Sequence, residues 1–76
     1  MSTSNDVDPA ALDWLGRFAS SIGVAPLTES DVSTLLDLAG VAAHASHRQA
    51  APVACWLAAR AGLSPTTALE RAVELV

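Results

Sequence analysis

The chain predicts an all-α fold, a compact bundle of four short helices, on three observations. Apolar residues recur at three- and four-residue spacing through most of the sequence. Asp8-Pro9 and Ser64-Pro65 each have the form of a helix N-cap followed by proline at the first helical position. No stretch alternates apolar and polar residues as a half-buried strand does.

Residues 1–7 read as a disordered tail and leave 8–76 as a single helical domain. The first helix is expected over 9–22. Leu12, Leu15, Phe18/Ala19 and Ile22 keep helical spacing, and Gly23 fits the left-handed position just past a helix end. The second is expected from 29 to about 47. Thr28 is its N-cap, with Asp31 three residues on in a variant of the capping box. Val32, Leu35, Leu36, Ala39, Ala42 and Ala43 carry it, and Gly40 sits in its middle at a cost of up to ~1 kcal/mol relative to alanine, where it either allows a close helix crossing or is simply tolerated. Pro52 is expected to open the third helix, through Val53, Trp56, Leu57 and Arg60, with Gly62 closing it. The fourth runs from 65 to about 75.

At 76 residues one domain is the natural reading. A core of this size rarely supplies more than ~3–5 kcal/mol. The hydrophobic share is 51%, but much of it is alanine, which buries little area. Leu12, Trp14, Leu15, Phe18, Ile22, Val32, Leu35, Leu36, Leu38, Val53, Trp56, Leu57, Leu63, Leu69 and Val73 must therefore do most of the burying. The balance predicts either a marginal monomer or a chain that hides apolar surface in a partner.

Net charge is −4, lysine is absent, and Arg17, Arg48, Arg60 and Arg71 are scattered. Nucleic acid and anionic membrane surfaces both call for clustered positive charge, so neither is an expected partner. The single Cys55 forms no intrachain disulfide. The first residues lack a basic segment leading into an apolar one, and no apolar run reaches the roughly 20 residues of a membrane span. The expected location is the cytoplasm.

The chemistry-bearing residues crowd at the junction of helices 2 and 3, His44 to Pro52. At ~100° per residue, Asp37, His44 and Arg48 stand within about 40° of one another if the helix continues through them. Arg48 in a last turn suits the helix dipole, and the N–H groups opening the next helix favour an anion. The column reads either as a recognition site for a carboxylate or phosphate, or as a solvated face with no ligand. His44 and His47 have a metal-compatible spacing but no third and fourth ligand nearby, so no metal and no cofactor is expected. Cys55 beside Trp56 reads as packing rather than as a nucleophile. Trp14 and Trp56 read as core or groove residues, or as interface anchors. No phosphate loop, dinucleotide fingerprint or nucleophile elbow is present. Asp31-Val32-Ser33-Thr34-Leu35 lacks the Asp-Ser-Leu carrier motif that small acidic acyl carrier bundles use.

Leu36-Asp37-Leu38-Ala39, Ala43-His44, Arg48-Gln49-Ala50-Ala51-Pro52 and Trp56-Leu57 together resemble a small bacterial helical domain of unknown function. That domain occurs alone or fused behind a nucleotidyltransferase domain like the molybdenum-cofactor guanylyltransferase. Leu12-Asp13-Trp14-Leu15 fits its opening, and Gln49 departs from it where the pattern has proline. The resemblance covers roughly residues 12–62. It implies association with molybdenum-cofactor maturation or molybdoenzymes, and no catalysis, since the transferase site lies in the other domain.

The expectation is a non-enzymatic helical accessory module that binds a larger cytoplasmic protein or associates with itself. Asp37, His44, His47, Arg48, Pro52 and Trp56 are the candidate contact residues. The alternatives are a binder of a small anionic ligand at the helix 2/helix 3 corner and a self-associating structural bundle.

Overall fold

The computed structural model describes residues 7–76, so the expected tail over 1–7 lies outside the described residues except for Val7. Four helices follow one another: α1 Pro9–Ser21, α2 Glu29–Ala45, α3 Ala50–Arg60 and α4 Pro65–Val73. Among the described residues there is no strand. The all-α class and the helix count match the sequence expectation.

Local chemistry sets the helix ends. The Asp8 carboxylate accepts from the Ala10 N–H at 2.8 Å and Pro9 opens α1. The Thr28 hydroxyl accepts from the Asp31 N–H at 3.0 Å, and the Ser64 hydroxyl from the Thr67 N–H at 3.2 Å. Two glycines close helices in the left-handed region, Gly23 at φ +78° and Gly62 at φ +74°. After each, the chain folds back in a Schellman motif: Val24 N–H donates to the Ala19 carbonyl, and Leu63 N–H to that of Ala58.

The α2–α3 boundary differs from expectation. α2 stops at Ala45, two residues short of the expected end, because Ser46 leaves helical geometry at φ −133°, ψ −90°. His47 to Ala50 then form a tight turn. Gln49 N–H donates to His47 Nδ1 at 3.1 Å, and Ala50 N–H donates to the His47 carbonyl at 2.8 Å. That turn starts α3 at Ala50, two residues before Pro52. Pro52 is thus the third residue of the helix rather than its opener. The position still tolerates proline, since the first four N–H groups of a helix have no intrahelical acceptor.

α2 is the central element and packs against both α3 and α4. α1 is only slightly in contact with the other helices. The core is correspondingly thin: Ala19, Val32, Leu38 and Ala68 are the buried hydrophobic residues, with Leu38 the most enclosed at 3% exposure. The Cα radius of gyration is 12.5 Å, against about 11 Å for a compact chain of this length.

This corrects the expected core. Val32 and Leu38 are buried, and Leu12, Leu35, Leu63 and Leu69 are half-buried. Trp14, Leu15, Phe18, Ile22, Leu36, Val53, Trp56, Leu57 and Val73 are exposed. The reason lies in α1 and α3. Each carries most of its large apolar residues on an exposed stripe, while Leu12 and Ala19 on α1 and Ala54 and Ala58 on α3 are the more enclosed positions.

Candidate functional site

The exterior offers two features: a groove along α2 and the apolar faces of α1 and α3. The groove, about 520 Å³, is walled by Leu36, Asp37, Gly40, Val41, His44 and Ala45 of α2, with Val76 beside them. Asp37, Gly40 and His44 share one helical face at i, i+3 and i+7. A Cβ built on Gly40 would meet nothing within 4 Å, so the missing side chain keeps the groove open at mid-length. The result is a mostly apolar channel with a carboxylate and an imidazole about two helical turns apart.

Of the expected site residues, the structure brings Asp37 and His44 together on this groove. It separates them from Arg48. The predicted column needed a helix continuous to residue 48, and α2 ends at Ala45. Arg48 lies in the following turn, exposed, and is not part of the groove wall. His47 is exposed in the same turn with its Nδ1 engaged by the Gln49 N–H, so it braces the start of α3. Pro52 is exposed in the first turn of α3. Trp56, one turn on, is 68% exposed, a large apolar side chain left mostly in water. Among the described residues, no group of three or more His, Cys, Asp or Glu side chains is placed to hold a metal ion.

Cys55 is half-buried, with its thiol 3.9 Å from the Leu35 carbonyl of α2. Burial pushes the Cys55 thiol above its ordinary value, so it stays protonated near neutrality and is a poor nucleophile. It lines a smaller apolar cavity of about 210 Å³ between α2, α3 and α4, together with Leu27, Leu35, Leu63 and Ala68.

Sequence reasoning missed two features. Gly40 was read as a cost to α2 that is either tolerated or allows a close helix crossing, whereas it makes no close crossing and lines the groove. Its placement at i+3 from Asp37 and i−4 from His44 was the available signal. The outward stripe of α1 was read as core, with Trp14 alone also read as a groove residue or an interface anchor. Trp14 and Phe18 stack there with ring centroids 5.3 Å apart and planes inclined by 13°.

No helix among the described residues is long and apolar enough to cross a membrane. No curated protein and no solved structure matches the chain. A family model for a domain of unknown function, DUF6457, matches residues 6–76, nearly the whole sequence, and the chain is accordingly a member of that family.

Proposed function

We propose that this chain is a non-enzymatic helical accessory module that docks on a larger protein through the outer face of α3, with Trp56 as the anchor. One observation carries the reading: α3 turns its large apolar residues outward, while Ala54 and Ala58 are its more enclosed positions. Val53, Trp56 and Leu57 are all more than half exposed on one eleven-residue helix. Such patches mark interaction surfaces, and tryptophan is the residue type most enriched among interface hot spots.

The partner class comes from the sequence resemblance. The motifs from Leu36 to Leu57 are like those of a domain joined to nucleotidyltransferases of the molybdenum-cofactor guanylyltransferase type. The location that goes with this partner is the cytoplasm. The probe is therefore a purified molybdenum-cofactor guanylyltransferase titrated into the domain by calorimetry. The expected result is saturable binding that Trp56→Ala weakens by at least about tenfold, as for a hot-spot residue. Binding that ignores Trp56→Ala, or no heat at the highest attainable concentration, contradicts the proposal.

A further inference from the structure

We propose that the imidazole of His47 is an acid-sensitive cap on α3, so that protonating it loosens the first turn of that helix. The cap is a property of the chain alone. Its effect on docking rests on the proposed function, because Val53 and Trp56 stand on the helix that it starts.

His47 has the hydrogen bonds of an N-cap. Its Nδ1 accepts from the Gln49 N–H at 3.1 Å, two residues on, and its carbonyl accepts from the Ala50 N–H at 2.8 Å, three residues on. Asp8 caps α1 in the same pattern: its carboxylate accepts from the Ala10 N–H at 2.8 Å and its carbonyl from the Ala11 N–H at 2.9 Å. Gln49 already has helical backbone angles, φ −64° and ψ −22°, and makes no side-chain cap of its own. The capping position therefore falls back on His47.

The other three helices are capped through oxygen, by Asp8, Thr28 and Ser64. An imidazole differs from these in one respect. It accepts at Nδ1 only while its single proton is on Nε2. A second proton, gained between about pH 8 and about pH 5, turns Nδ1 into a donor aimed at the Gln49 N–H. The cap hydrogen bond is then lost, and a positive charge stands at the positive end of the helix dipole.

The neighbouring charges act in the same sense. Arg48 follows His47 in the turn, and His44 lies in the last turn of α2. Farther off, Asp37 lines the groove on α2 and Arg60 ends α3. Asp13 and Arg17 of α1 pair with each other. α4 and its C-cap carry Glu70, Arg71 and Glu74, and Val76 beyond them lies beside His44 and Ala45. Among the described residues, none of these forms an ion pair with His47.

NMR of the domain from about pH 8 to about pH 5 tests the cap. The expected result is that the helical carbon shifts of Gln49 to Val53 move toward coil values, with the midpoint of the His47 imidazole protons, while those of α4 stay in place. His47→Asn, whose side-chain oxygen accepts throughout this range, holds the turn helical. His47→Ala weakens it already at the upper pH. A turn that stays helical over the whole range overturns the proposal, as does one that follows the His44 imidazole or still loosens in His47→Asn. Calorimetry reads the consequence: at the lower pH the unaltered chain binds the guanylyltransferase more weakly than His47→Asn does, and at the upper pH equally. Equal affinities at both overturn the link to docking. Absence of binding at either pH, with the turn titrating as expected, fails the docking reading alone.

Discussion

Cys55 shows how one residue is held by its surroundings. It sits on α3 against the Leu35 carbonyl of α2, and burial favours its neutral form. The folded chain thus holds the thiol proton more tightly than the unfolded chain does. Below the ordinary thiol value of 9.0 both states are protonated, and the stabilising difference is fully present. As pH rises through the folded value, that difference is lost. Urea midpoints of the unaltered chain and Cys55→Ala, each taken at neutral pH and above pH 9.0, isolate the effect. The expected outcome is a larger alkaline loss in the unaltered chain than in Cys55→Ala. Equal losses would place the thiol in water.

At the scale of elements, α2 carries both the fold and the groove. Gly40 interrupts neither function, since a Cβ there meets nothing within 4 Å and the backbone is ordinary helix. Gly40→Ala is expected to raise stability by roughly 0.5–1 kcal/mol through the lower entropy cost of ordering alanine. A thermal melt reads it, and a lowered midpoint would mean that the groove is closely filled. The same elements explain what the sequence could say. Asp8, Thr28, Ser64, Gly23 and Gly62 act on their own neighbours within a turn, so their caps were legible, and with them the helix count. The end of α2 was not, because it depends on a non-helical Ser46 and on a His47–Gln49 hydrogen bond in a run that otherwise keeps helical spacing. With that end misplaced, Arg48 was assigned to a face it does not share, while Asp37 and His44 were correctly placed together. Periodicity showed that α1 has an apolar stripe, and nothing in periodicity says what covers it.

Over the whole molecule, α2 is the hub, packed against α3 and α4, and α1 is loosely attached. α2 packs against α3 and α4 and holds the most enclosed side chain, Leu38, while α1 adds Ala19 to the core and an amphipathic face whose large residues are exposed. The outward residues are thereby left exposed, and the proposed function uses one of them, Trp56, as its anchor on a larger protein. This account stands on those side chains being surface rather than core. The most direct measurement is the urea unfolding free energy of Phe18→Ala beside Leu38→Ala, in solution dilute enough to keep the chain monomeric. A half-exposed phenylalanine is expected to cost about 1 kcal/mol when truncated, against roughly 2–5 kcal/mol for the enclosed leucine. A cost of about 3–5 kcal/mol for Phe18→Ala, as for a phenylalanine in a packed core, would contradict it.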